Sequence, residues 1–291
     1  QINLKTSSVS KILDSISKIL SEEDFDALLV FGDTNSTLAG ALAGRKKGLN
    51  VIHCESGVRN LDPKMPEEIN RIIVDRISDI LLCVSDNCVE NLKSETCWYN
   101  SEIHKTGDLM LDTFNHFKNV LRRESNSDGD CDRFLYVTIH RAHNTDSRKN
   151  LSNIIRALNE INNEIDVICP IHPRTAKMLK KFSIKVEFKL LKPLGYLENL
   201  NYILKSEAII TDSGGVVREA YWAKKSSIIL AENPYWPELI ELNACISSAS
   251  DFNSILINYK KLKKLNPIFN SNVYGDGNAS SLIKELLLNF R

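Results

Sequence analysis

Short apolar runs alternate with longer amphipathic stretches along nearly the whole chain. ALLVFG (27–32), NVIHCE (50–55) and ILLCVS (80–85) have the length and branched content of strands buried on both faces. DTNST supplies turn and cap residues after the first run, and LAGALAGRKK predicts a helix that Gly48 ends. Pro66 suits a first helical position, and Ile69, Ile72, Ile73, Ile77 and Ile80 follow at helical spacing. A further short strand is expected after TGDLMLD (106–112). The alternation then resumes, with strands at 134–140, 166–172, 185–191, 207–213 and 226–230. Helices are predicted at 148–161, 174–182, 197–205 and 214–225. Such alternation means βαβ units and parallel sheets. The polar, aperiodic stretch LRRESNSDGDCD (121–132) reads as a linker. The expected fold is therefore α/β, with two doubly wound, Rossmann-like domains, 1–120 and 121–275, and a crevice between them. No internal repeat or low-complexity segment interrupts it.

Composition narrows the class without naming a chemistry. The 291 residues are 43% hydrophobic and 25% charged, the balance of a globular protein. Lys+Arg and Asp+Glu both number 37, so the chain lacks the basic excess that nucleic-acid or membrane-surface partners ask for. No apolar run reaches the roughly 18 residues of a membrane span, and no signal peptide is visible. The seven cysteines form no Cys-x-x-Cys pair, and Cys54, Cys83 and Cys169 fall inside apolar runs. That pattern suits a reduced, cytoplasmic chain rather than a disulfide framework, and the spacings of a zinc site are missing, so no metal is expected.

The informative polar residues stand where strands end. In a parallel α/β sheet the ligand crevice lies beyond the carboxyl ends of the strands. Asp33, Glu55, His140, His172 and Ser213 occupy five such ends. TDSGGVVRE (211–219) places Ser213, Gly214 and Gly215 between a buried strand and a helix, where bare backbone lets a phosphate approach the helix N-terminus. Glu219, further along, could accept from ribose hydroxyls. TIHRAHN and IHPR each set a histidine beside an arginine, His140–Arg141 and His172 near Arg174, side chains suited to phosphate. HCESGVRNLDPKMPEEINR (53–71) crowds Glu55, Arg59, Glu67, Glu68 and Arg71 into one short segment, either as solvated surface or as a site.

GDTNSTLAG, HCESGVRN, MPEEINRIIVDRISDILL, TIHRAHNTD, IHPRT, LGYLENL, TDSGGVVREAYW, WPE and YGDGNASSLI occur in the order found in the non-hydrolysing UDP-N-acetylglucosamine 2-epimerases, a family this chain resembles over nearly its whole length. The resemblance implies a GT-B-type fold holding a nucleotide sugar, with a C-terminal helix, 276–291 here, returning to the first domain. It implies interconversion of UDP-GlcNAc and UDP-ManNAc by elimination of UDP to 2-acetamidoglucal and re-addition, without metal or other cofactor, in a homodimer. Asp33, Glu55 and Glu67 match the family's catalytic carboxylates, and His140 is placed with them. His140, His172, Ser213, Gly214, Gly215 and Glu219 match its UDP contacts; Arg59, Arg71, Arg141 and Arg174 join the binding candidates. Several positions depart from the pattern. His143 stands where a glutamate is usual, Val217 replaces a glutamine, and Ala231 and Pro234 replace an arginine and a threonine. The family's opening strand and Gly-Thr-Arg-Pro-Glu phosphate loop, part of about two βα units, are not in these 291 residues. The chain alone is accordingly expected to be a poor catalyst. The alternatives are a related UDP-sugar such as a diacetamido-uronate, a hydrolysing epimerase that releases ManNAc, and a nucleotide-sugar-binding protein without turnover.

Overall fold

A computed structural model describes residues 8–95, 101–124 and 133–289. In chain order its elements are α1 (Val9–Glu22), β1 (Ala27–Phe31), α2 (Asn35–Lys47), β2 (Asn50–Ser56), α3 (Pro66–Ile77), β3 (Ile80–Cys83), α4 (Asp86–Ser94), β4 (Glu102–Lys105) and α5 (Leu109–Glu124). Then come β5 (Phe134–Thr138), α6 (Ala142–Thr145), α7 (Arg148–Ile161), β6 (Asp166–Pro170), α8 (Pro173–Phe182), β7 (Lys189–Leu191), α9 (Tyr196–Lys205) and β8 (Ala208–Thr211). The chain closes with α10 (Gly214–Trp222), β9 (Ser227–Ile229), α11 (Pro237–Glu241), β10 (Cys245–Ser247), α12 (Phe252–Leu262) and α13 (Ala279–Asn289).

The chain forms two compact units. One runs to Asp112 and takes in the segment from Asn272 onward; the other is Thr113–Ser271. The divisions lie a few residues before the positions 120 and 275 expected from sequence. The first falls inside α5, which also absorbs residues 121–124 of the expected linker; residues 125–132 lie outside those described.

The first unit holds a parallel sheet in the order β1-β2-β3-β4, the second a parallel sheet in the order β10-β9-β8-β5-β6-β7. Local chemistry explains why the elements stop where they do. Thr34 and Thr37 form a capping box at the start of α2, and Gly48 ends it at φ +84°. Pro66 opens α3 and Pro173 opens α8 at the position where a missing N–H costs nothing. Asp112 caps α13 by accepting from Ala279 N and Ser280 N at 3.1 and 2.7 Å. Ile283 of α13 then packs with Ile52, Cys54, Ile80 and Leu82. The core of the second unit joins β5, β6 and β8 to α7 and α12 through Val137, Leu151, Ile154, Val167, Ile210 and Ile255.

Two expectations are corrected here. The short strand foreseen after TGDLMLD lies before it, as β4, and α5 begins within that motif at Leu109. Glu-Ile-His-Lys is a half-exposed edge strand, so it lacks the apolar run that marks a buried one. α1, α4, α6, α11, β10 and α12 were not foreseen at all.

Candidate functional site

The first unit gathers its charges around one helix. Asp33 lies two residues beyond β1, Glu55 near the end of β2, and Glu67 in the first turn of α3. α3 is fastened to the end of β1. Arg71 donates from Nη2 to Asp33 Oδ2 at 2.6 Å, and Asn70 Nδ2 donates to the Asp33 carbonyl at 2.8 Å. The two glutamates of Pro-Glu-Glu divide. Glu68 is buried, accepts from Arg71 Nη1 at 2.5 Å, and takes the backbone N–H groups of Asn60 and Leu61 on its other oxygen at 3.0 and 2.9 Å. Glu67, beside it, is half-buried.

Glu55 sits at an irregularity in β2, where the register against β3 shifts between Cys54 and Ser56. Its φ is +69°, a left-handed conformation that side-chain-bearing residues adopt at a cost of about 1–2 kcal/mol. The bulge turns the Glu55 side of the strand toward a cavity of about 230 Å³ that Phe31, Cys54, Glu55, Leu82, Asp108 and Ile283 help to line. Arg59 is placed inside the unit. Its guanidinium bonds Glu95 at 2.6 and 3.0 Å, Asp75 at 2.7 Å and the Val58 carbonyl at 2.8 Å, so four of its five donors are spent on the protein. Burial alone would lower its pKa, but Glu95 and Asp75 drive it up.

The second unit builds its cluster where strand order reverses. β5 lies between β8 and β6, the switch point at which doubly wound sheets bind ligands. Asp212, which sequence reasoning passed over, organises it. Its buried carboxylate accepts from His140 N at 3.0 Å, Arg141 N at 2.9 Å and Asn144 Nδ2 at 3.1 Å. The ring Nδ1 of His140 lies 3.2 Å from Asp212 Oδ1, which fixes the imidazole with Nε2 turned away from the carboxylate. The His172 ring is 5.7 Å from that of His140. His172 caps α8, Nδ1 accepting from Arg174 N at 3.1 Å, so its proton is on Nε2. Arg174 is exposed, with Nε 3.5 Å from Asp146, and the Arg141 guanidinium lies 5.6 Å from the centre of the Tyr235 ring.

Ser213 is the N-cap of α10, and the helix opens with Gly214 and Gly215, so its first amides face away from the helix body. Gly214 is pressed on its own side. Trp236 Nε1 donates to its carbonyl at 3.0 Å, and an added Cβ would meet Trp236 and Tyr235 at 3.2 and 3.3 Å. A bulky residue there would therefore displace both rings as well as any anion. Glu219 is buried and receives a hydrogen bond from the Tyr196 hydroxyl, whose pKa burial and this carboxylate raise. Tyr196 lies within LGYLENL, and only the fold brings it to Glu219. His143, one of the unusual positions, is exposed beside Asn150. Among the described residues no group of three or more His, Cys, Asp or Glu could hold a metal ion.

Burial pushes the Cys54, Cys83 and Cys169 thiols up to about 12, so they behave as small apolar groups. Burial would also raise Asp212. Its hydrogen bond and attraction to His140, the Arg141 backbone N–H and the Asn144 amide outweigh that and hold it below the usual carboxylate value. A carboxylate depressed in the folded state stabilises the fold above its unfolded pKa of about 3.9, and the contribution is lost as pH falls through the folded pKa. Urea midpoints are thus expected to fall below about pH 4, and to fall less steeply in Asp212→Asn, which does not titrate. Parallel acid profiles for the two proteins would remove Asp212 as a source of acid sensitivity.

A sequence model of the family described as UDP-N-acetylglucosamine 2-epimerase matches residues 3–288. The chain is 39% identical over 290 residues to a UDP-N-acetylglucosamine 2-epimerase homolog of Methanococcus maripaludis, covering 96% of this chain and 80% of that one. It is 36% identical over 281 residues to the UDP-2,3-diacetamido-2,3-dideoxy-D-glucuronate 2-epimerase of Pseudomonas aeruginosa, covering 95% and 78%. The fold is similar to the crystal structure of Methanocaldococcus jannaschii UDP-GlcNAc 2-epimerase in complex with UDP-GlcNAc and UDP. The TM-score is 0.87 at 34% identity, over 96% of this chain and 80% of that one.

Proposed function

The chain belongs to the UDP-N-acetylglucosamine 2-epimerase family, and we propose that it inverts C2 of a UDP-N-acetylhexosamine, interconverting UDP-GlcNAc and UDP-ManNAc. The observation that carries the reading is the attachment of α3 to the end of β1. Through it Asp33 and the helix whose first turn carries Glu67 are held as one body beside the strand that bears Glu55. In the forward direction a carboxylate takes the C2 proton, the C1–O bond to UDP breaks, and a C1=C2 double bond forms. In the second half a phosphate oxygen of UDP re-forms the bond at C1, and a proton enters C2 from the opposite face. Asp33, Glu55 and Glu67 are the acid–base candidates. Asp212 orients His140 as a carboxylate orients a catalytic imidazole, which supports His140 as a group that gives or takes a proton, or bonds phosphate, through Nε2.

UDP falls to the second unit. Ser213, Gly214 and Gly215 at the start of α10 supply N–H groups and a favourable helix dipole to phosphate. His172, Arg141 and Arg174 add donors, and Glu219 with Tyr196 suits ribose hydroxyls. Arg59 and Arg71 serve by holding carboxylates and loops in place. The reading includes a homodimer in the cytoplasm. Among the described residues no helix is long and apolar enough to cross a membrane, and sedimentation of the purified protein tests the assembly.

The experiment is an NMR time course in heavy water with UDP-GlcNAc and, because of the 36% identity to the diacetamido-glucuronate enzyme, the diacetamido-uronate in parallel. Epimer carrying deuterium at C2 is the expected product. Epimer without deuterium would exclude elimination and re-addition. Free ManNAc with UDP would make the enzyme a hydrolysing one, and binding without turnover would leave a nucleotide-sugar-binding protein.

A further inference from the structure

α3 presents Glu68, Arg71 and Asp75 at spacings of three and four, along one buried face. Glu68 and Arg71 tie the helix to the 60–61 loop and to Asp33. Asp75 is given no part in the reaction above, yet it bonds three residues of the segment around Glu55, namely His53, Gly57 and Arg59. Its Oδ1 lies 2.6 Å from His53 Nδ1, and its Oδ2 accepts from Gly57 N at 3.1 Å and Arg59 Nη1 at 2.7 Å. The far nitrogen of His53 lies 2.8 Å from the Gly32 carbonyl, and since a carbonyl only accepts, Nε2 carries a proton. His53 and Asp75 are almost completely buried, at 0% and 1% side-chain exposure.

The residues at the ends of these bonds decide what they are for. Gly32 immediately precedes Asp33, and Gly57 follows Glu55 by two residues. Glu55 is held in a left-handed conformation that the chain would leave unless its surroundings over-determine it. Gly57 supplies that restraint, its N–H on Asp75 and its carbonyl on Asn91 Nδ2 at 2.9 Å. Stability alone does not ask for charge here, because apolar residues of the same volume often serve a core as well or better than a buried ionic network.

We propose that Asp75 is a positioning residue for the carboxylates of the epimerase reaction. Through His53 it fixes the peptide that carries Asp33, and through Gly57 the bulge that carries Glu55. One helix, α3, then sets Asp33 and Glu55 relative to its own Glu67. The role is geometric, so an amide can fill it. In Asp75→Asn, Oδ1 keeps Gly57 and Arg59 while Nδ2 donates to a neutral His53 ring that still reaches Gly32.

The inference rests on the proposed epimerase reading, and the test separates the two. Asp75→Ala is expected to lower kcat roughly 10- to 100-fold, the effect of about an ångström of misplacement, with KM and calorimetric UDP affinity unchanged. Asp75→Asn is expected to stay within about threefold of wild type, since a conservative amide keeps the hydrogen bonds. His53→Ala, which cuts only the arm to Gly32, is the second variant should Asp75→Ala not fold. Amide hydrogen exchange provides a readout independent of turnover. In Asp75→Ala the Gly57 amide should exchange roughly tenfold faster or more while the Val51 and Ile52 amides keep their rates, a local opening rather than a global loss. Wild-type kcat in folded Asp75→Ala or His53→Ala, or uniform acceleration across β2, would overturn the proposal. A wild-type protein that turns over neither sugar would remove the epimerase reading instead, and the exchange pattern would still judge the placement.

Discussion

Replacing Glu67 by Gln is expected to lower turnover roughly 10²- to 10⁴-fold, the usual worth of a general acid or base, while UDP affinity and thermal stability stay close to wild type. Gln keeps the shape and tolerates a first helical turn, but it cannot exchange a proton. The neighbouring glutamate cannot stand in. Glu68 spends one oxygen on Arg71 and the other on two loop amides, and it is buried. Glu68→Gln should therefore show the opposite profile, with loss of stability first. It leaves Arg71 facing a neutral amide, and breaking a buried pair from one side costs about 3–5 kcal/mol. Steady-state kinetics, UDP calorimetry and a thermal melt on both variants check the division. A fully active Glu67→Gln enzyme would take Glu67 out of the mechanism and leave Asp33 and Glu55 as its acid and base.

Gly57→Ala is expected to cost roughly 2–5 kcal/mol of stability, the sum of left-handed strain and overpacking. Gly57 has φ +77°, and an added Cβ would fall 2.2 Å from the Cys88 carbonyl oxygen in α4. The backbone cannot swing aside, because Asp75 holds the Gly57 N–H and Asn91 its carbonyl. Two residues earlier the sign reverses. Glu55 bears a side chain in the same region of backbone space, so Glu55→Gly relieves strain while deleting the carboxylate. That variant is expected to be at least as stable as wild type and inactive, the pattern of a residue kept for chemistry at a cost in stability. Urea midpoints for the two variants decide. A wild-type midpoint for Gly57→Ala would show that α4 yields more easily than its packing implies.

The βα alternation, most strand positions and the polar residues at strand ends were legible in the sequence because each depends on neighbours a few residues away. An apolar run of six predicts a buried strand wherever the chain goes. Thr34, Pro66, Gly48 and Ser213 act on backbone within one helical turn. The same locality explains the misses. β4 is a polar edge strand that only its pairing with β3 makes a strand, and β10 is three residues added to the edge of β9.

The roles within MPEEINRIIVD were not legible. Glu67 and Glu68 are adjacent and chemically identical, and what parts them is which one faces Arg71 and the 60–61 loop. Arg59 reads as a phosphate ligand until the fold sets it between Asp75 and Glu95, 16 and 36 residues away. Asp212 carries no signal of its own in the sequence, and only β5 brings the His140 and Arg141 amides to it across 72 and 71 residues. The sequence by itself determined which side chains of useful chemistry this protein carries and at which strand ends they emerge. Tertiary structure alone decided which of them are spent on one another. Hydrogen bonds and ion pairs depend on distances of a few ångströms between residues far apart in the chain, and local pattern holds no information about those distances.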